Sequence, residues 1–169
     1  MMKCDSMVNF GKRKQIPYEI RWAKVSDWQE TMNMIWRTFM KFEACDYTQE
    51  GIANFHSFIS DGQIFKMFLE GSYLMMVALD GEKIIGQISV RSRNHISLLF
   101  VDEVYHKKGV GRALINAMAD FLRNERKQVF MSVKAAPYAV GFYRRTGFHI
   151  CEPEQEFSGI RVTPMEKFL

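Results

Sequence analysis

Residues 94–115 read NHISLLFVDEVYHKKGVGRALI. An apolar run, Ile96 to Val101, gives way to a short polar turn, Asp102 to Lys108. Gly109 and Gly111 follow, and Arg112-Ala113-Leu114-Ile115 begins a helical pattern at once. The order is strand, glycine-bearing turn, helix. The first turn of a helix leaves backbone N–H groups unpaired, and the helix dipole adds partial positive charge there. Glycine lets a ligand come close to the backbone. Lys107, Lys108 and Arg112 bring full charges to the same turn. This combination suits a phosphate or pyrophosphate. A tight turn with solvated lysines is the plainer alternative. The turn is not a P-loop, since no Lys-Ser or Lys-Thr follows the glycines. Nor is it a dinucleotide fingerprint, since Leu114 stands where G-x-G-x-x-G needs its third glycine.

Upstream, Tyr18 to Lys24 alternates and reads as a strand, after which Ser26 or Asp27 caps a helix. Trp28, Met32, Ile35, Trp36, Phe39 and Phe42 form its apolar stripe. Thr48 opens a second helix that Asp61-Gly62 stops, with a short helical piece at Ile64 to Leu69. Tyr73 to Leu79 and Lys83 to Arg91 are strands joined at Asp80-Gly81, and His95 to Val101 is the third of the meander. Gly86 predicts a bulge or a close approach. Downstream of the helix at 110–126 come a strand at Val129 to Val133 and a helix from Pro137 to Arg145, closed by Gly147. Phe148 to Phe157 and Ile160 to Phe168 are the last two strands, with Pro164 demanding an edge or a bulge. The order β-α-α-β-β-β-α-β-α-β-β predicts a mixed α/β (α+β) fold on one sheet flanked by helices.

The chain has 169 residues, 47% hydrophobic and 25% charged, as in a single globular domain. Residues 1–16 read as a flexible basic extension, leaving 17–169 as the domain. Much of the +4 net charge sits in that extension, at Lys3, Lys12, Arg13 and Lys14, so nucleic acid is not the expected partner. Cys4, Cys45 and Cys151 match neither a disulfide framework nor a zinc pattern, so no metal is expected and a reducing, cytoplasmic setting fits. No signal peptide and no membrane span are visible.

The stretch H-K-K-G-V-G-R at 106–112 resembles the acetyl-CoA-binding motif [QR]-x-x-G-x-[GA] of the GNAT superfamily of N-acetyltransferases. A-V-G-F-Y-R-R-T-G-F at 139–148 is similar to the superfamily's A-x-x-[FL]-Y-x-x-x-G-F. The resemblance runs from about residue 18 to residue 168. His106 departs from the usual Gln or Arg, and Ala136 stands where many members have Asn.

The resemblance implies a GNAT-like acyltransferase fold with a mostly antiparallel sheet. It implies acetyl-CoA as acyl donor, its pyrophosphate on the backbone of His106, Lys107, Lys108, Gly109, Val110, Gly111 and Arg112. The pantetheine arm would pair with Leu99, Phe100 and Val101, and an N–H near Phe100 or Val101 would receive the oxyanion. Tyr143 aligns with the tyrosine near the sulfur and is the expected acid and cofactor contact. His95 occupies the place of a glutamate base, and its reference pKa of about 6.5 suits base work. Packing and strand-end roles are the alternatives for these two. Glu43, Asp46 and Glu50 fall where the superfamily often builds its acceptor site, or form a solvated face. His56 is expected to be structural, and His149 has no assigned role. The expected activity is direct transfer, in a ternary complex, to a primary amine of a small molecule or peptide. A non-catalytic module binding coenzyme A thioesters is the alternative. The expected state is a monomer or homodimer away from membranes.

Overall fold

The computed structural model describes residues 17–157 and 159–169; the extension expected at 1–16 lies outside them. Strand β1 (Glu19–Trp22) precedes helices α1 (Trp28–Phe42), α2 (Gln49–Ser60) and α3 (Gly62–Leu69). A meander follows: β2 (Leu74–Asp80), β3 (Lys83–Arg91) and β4 (His95–Val101). Then come α4 (Val110–Asn124), β5 (Phe130–Ala135), α5 (Val140–Arg145), β6 (His149–Ile150), β7 (Gln155–Phe157) and β8 (Ile160–Phe168). The strands form one sheet in the order β1-β2-β3-β4-β5-β8-β6, with β7 also on β8. Every pairing is antiparallel except β4 with β5.

Two apolar clusters lie against this sheet. Leu114, Ile115, Met118 and Leu122 of α4 are fully buried with Ile85, Ile88 and Met131. Burying four such side chains is worth roughly 6–12 kcal/mol before entropy is charged against it, so the apolar stripe, more than helix propensity, places α4. Met34, Ile35 and Phe39 of α1 pack with Val77, Leu98 and Phe100. Gly86 lets α4 come close: a Cβ there would meet Leu114, Val110 and the Phe100 carbonyl, each at 3.2 Å.

Three local readings change. Asp27 does not cap α1; its carboxylate accepts from the Lys24 N–H at 2.6 Å and pairs with Arg21 at 2.7 Å, fixing the preceding 3-10 turn at Val25–Asp27. The helical piece at 64–69 is a full helix from Gly62, because Asp61 both ends α2 and caps α3, accepting from Gln63 N–H at 2.8 Å. The strand expected at 148–157 is split into β6 and β7. Register runs from Ile150 opposite Met165 to Gln155 opposite Val162, so extra residues bulge out around Pro153. Pro164 faces this bulge: its carbonyl accepts from Cys151 N–H at 3.0 Å, and the interruption leaves its missing donor unneeded.

The parallel contact of β4 with β5 covers two pairs, His95 with Ser132 and Ile96 with Val133. Immediately afterwards the β3–β4 register shifts, opposite Ser89 and Val90. Such a bulge bends the strand. Beyond it, β4 and β5 part.

Candidate active site

A cleft of about 550 Å³ opens where the two strands separate. Leu99, Phe100 and Val101 form one wall, and the turn into α4 closes one end. Ala139, Phe142 and Tyr143 line it from α5 and the residue before it, and Thr38, Phe42 and Glu43 from the C-terminal end of α1.

The wall has a defined polarity. Asp102 N–H donates to the Ile85 carbonyl at 2.9 Å, which makes Gly86 and Val101 a non-hydrogen-bonded pair. The backbone of Val101, like that of Leu99, therefore points into the gap. Phe100 belongs to the bonded pair with Gln87, so its N–H is committed to β3 and is not the oxyanion donor. The Val101 carbonyl is taken by His106 Nε2 at 2.7 Å. A carbonyl only accepts, so Nε2 carries the hydrogen.

The turn is built residue by residue. Asp102 is buried, and its carboxylate accepts from Val104 N–H at 3.1 Å and pairs with Arg37 and Lys83. Burial alone would raise this carboxyl, but the Val104 N–H and the two cations hold it below its ordinary value. A 3-10 turn at Glu103–Tyr105 leads to Lys107, whose φ of +60° is rare for a residue with a side chain. Gly109 takes φ +87°, ψ −1° at the start of α4. The amides of the first α4 turn are left without intrahelical partners. Gly111 has a packing duty as well: a Cβ there would sit 3.0 Å from the Phe142 ring. Arg112 ties α4 to the end of α5 by donating to the Arg145 carbonyl at 3.0 Å.

Of the residues expected at the site, Leu99, Phe100, Val101, His106, Lys107, Gly109, Val110, Gly111, Arg112 and Tyr143 line this one cleft. Lys108 does not; its ammonium lies over the Tyr105 ring. His95 does not either. It sits in the paired end of β4, its Nδ1 2.9 Å from Ser132 Oγ. Five residues of strand, roughly 17 Å, separate it from Phe100. Burial, then Arg91 and Lys134, push its pKa down to about 4. The base role expected of His95 is therefore corrected: it does not share the cleft with Tyr143 and is the strand-end residue of its alternative reading.

Tyr143 is buried, and burial together with the charge of Glu43 drives its hydroxyl well above the usual tyrosine range. Glu43 itself is half-buried on the cleft wall, its carboxyl pushed up to about 7 by burial and by Asp46. Of the three acids considered for the acceptor side, only Glu43 lines the cleft; Asp46 pairs with Arg161 at 3.8 Å and Glu50 is exposed. Sequence reasoning put Phe42 only on the α1 stripe and gave Tyr138 no site role, yet their rings stack 5.8 Å apart beside the cleft. His56 packs on Trp36. His149, Cys151 and Glu166 bring possible metal-binding atoms within 4.8 Å of one another, but none of the three lines the cleft.

Residues 43–169 match the model of the acetyltransferase (GNAT) domain family. The chain belongs to the GNAT family of acetyltransferases. Solved GNAT structures share its fold. A GCN5-related N-acetyltransferase from Rhodopseudomonas palustris superposes with a TM-score of 0.78 at 23% identity, covering 94% of this chain and all of the other. The PaiA N-acetyltransferase from Thermoplasma acidophilum, solved in complex with coenzyme A, gives 0.76 at 18% identity over 91% of this chain and all of its own. A chimaeric spermidine N-acetyltransferase from Vibrio cholerae gives 0.66 at 18%, covering 89% of this chain and 95% of the other. No curated protein matches the sequence. No helix among the described residues is long and apolar enough to cross a membrane.

Proposed function

We propose that this GNAT acetyltransferase moves the acetyl group of acetyl-CoA to a primary amine of a small molecule or peptide by direct attack in a ternary complex. The observation that carries the reading is the shared cleft. It joins open helix amides and cations at one end, gap-facing strand backbone along one wall, and Tyr143 and Glu43 on its lining. These features fit a ligand with a phosphate head, an amide-bearing arm and a thioester. Acetyl-CoA supplies the thioester carbonyl that the amine attacks.

The chain's residues divide the remaining work. The amides of Gly109 to Arg112, with Lys107 and Arg112, hold the pyrophosphate. Leu99 and Val101 offer strand hydrogen bonds to the pantetheine arm, and Val101 N–H receives the carbonyl oxygen's developing charge. Tyr143 stays protonated at neutral pH and donates to the leaving sulfur. No cysteine lines the cleft among the described residues, in keeping with direct transfer. Residues 17–169 act as one acetyltransferase domain, since a single sheet links strands from Glu19 to Phe168. The exposed thiols of Cys45 and Cys151 suit a reducing cytoplasm.

The test is release of free thiol from acetyl-CoA against a panel of amines, amino acids, polyamines and short peptides. Thiol release with one acceptor class is expected. Silence across the panel, with acetyl-CoA binding intact by calorimetry, overturns turnover and leaves a binding module.

A further inference from the structure

We infer that Glu43 is the general base that receives the ammonium of the acceptor and takes its proton, an assignment that rests on the acetyl-transfer reading above. Its position is fixed by the backbone. Glu43 is the first residue past α1, its N–H donating to the Phe39 carbonyl at 2.9 Å, and the 3-10 turn at Ala44–Asp46 locks the chain after it. Ala44 is buried, which anchors that turn.

Nothing among the described residues neutralises this carboxylate. Among the described residues no cation pairs with Glu43. Lys41 is held by both oxygens of Glu103, and Arg161 turns to Asp46 and Glu154. The end of a helix carries partial negative charge, which makes an acid there less favourable still. A half-buried, unpaired acid at a helix C-terminus opposes the fold, and such perturbed groups cluster at functional sites. The counter-ion it lacks is a cation from solution, and the cleft gives that cation a route to the thioester.

The charged groups around it agree in direction. Burial, then Asp46, raise the Glu43 carboxyl to about 7. Burial first, and then Glu43, raise Tyr47, in the segment after the turn, and Tyr143 on α5. His106, Lys107, Arg112 and Arg145 share the cleft without reversing the shift. A carboxyl raised to about 7 keeps a basic fraction near neutral pH, where a free alkylamine is about one part in a few thousand.

The proton balance closes. The Glu43 carboxylate accepts one proton from the ammonium and passes it to solvent. The freed nitrogen lone pair forms the C–N bond, the C–S bond breaks, and sulfur leaves with the electron pair. Sulfur takes the Tyr143 hydroxyl proton, and the tyrosinate is refilled by the second nitrogen proton. If Glu43 keeps its proton until sulfur has left and passes it to solvent only afterwards, its charge does not oppose the tyrosinate.

The experiment uses the best amine from the panel. In Glu43→Gln, kcat/KM should fall by on the order of a hundredfold or more, and the limb of the pH–rate profile near 7 should disappear. Glu43→Asp should recover part of both, and coenzyme A affinity by calorimetry should be unchanged. Wild-type rate with the limb retained in Glu43→Gln overturns the assignment. So does loss of the limb in His106→Gln with its retention in Glu43→Gln, which makes His106 the base. Loss of coenzyme A binding in Glu43→Gln would move the residue to the cofactor site. Silence of the wild-type enzyme with every amine overturns the acetyl-transfer reading itself, an outcome separate from all of these.

Discussion

Replacing Gly109 with Ala tests whether the left-handed residue at the start of α4 is what aims the helix amides at the cleft. Gly109 has φ +87°. An L-residue in that region costs roughly 1–2 kcal/mol. The cost can surface in two places. If the turn keeps its shape, the free protein bears it, and a chain of this length should lose about 2–8 °C of melting temperature. If the turn relaxes, stability is kept, and coenzyme A must restore the geometry on binding, weakening its affinity by about 5- to 30-fold. The two losses, expressed as free energy, should sum to the same 1–2 kcal/mol. Gly109→Asn should show less of both, since asparagine tolerates this region better. Thermal unfolding and calorimetric titration with coenzyme A measure the pair. Gly109→Ala with both unchanged would refute the argument, and so would a loss equal in the Asn variant.

Tyr143→Phe should lower kcat by about a hundredfold, the low end for acid catalysis because a thiolate is a fair leaving group, with coenzyme A affinity kept; unchanged kcat would remove Tyr143 as the acid. His95→Gln should leave kcat/KM intact. Because folding depresses the His95 pKa to about 4, wild type holds its full stability above the unfolded value of about 6.5 and loses it as pH falls towards 4. The urea midpoint of the Gln variant should be flatter across that window, and parallel curves would show that His95 is not the cause. Asp27 is held below its ordinary value, chiefly by its hydrogen bond to Arg21. Its contribution is present above the unfolded pKa of about 3.9 and lost as pH falls through the lower folded value. At pH 7, Asp27→Asn should cost about 1.5–3 kcal/mol, and its urea midpoint should converge on that of wild type in acid; a constant gap would refute this.

The strand-turn-helix at 94–115 was legible because its signals are local: an apolar run, a charged turn, glycine where the backbone turns left-handed. The end of α5 at Gly147, whose φ is +95°, was legible for the same reason. The site's acid side was legible only as a group, Glu43, Asp46 and Glu50, with nothing in the sequence to single out one of them. Glu43 stands out only once α1 ends beside α5, and that approach is set by burial of Phe39 and Ile35 far along the helix. His95 was misplaced because sequence position along β4 does not say which end stays paired with β5. The split of the last edge strand came from the residues around Pro153 bulging out just past Cys151, which faces Pro164, a cross-strand relation that neither proline announces alone.

The two residue pairs joining β4 to β5 have a mechanical meaning. The sheet is two leaves, β1 to β4 and β5 to β8, each drawn from one continuous half of the chain and stitched at a single short seam. α4 packs chiefly on the first leaf and hands the chain across at residues 125–129. A strand-like ligand laid into the open part of the seam completes the stitching that the polypeptide leaves out. On the proposed reading, occupancy of the cleft would set how stiffly one half of the molecule is held to the other.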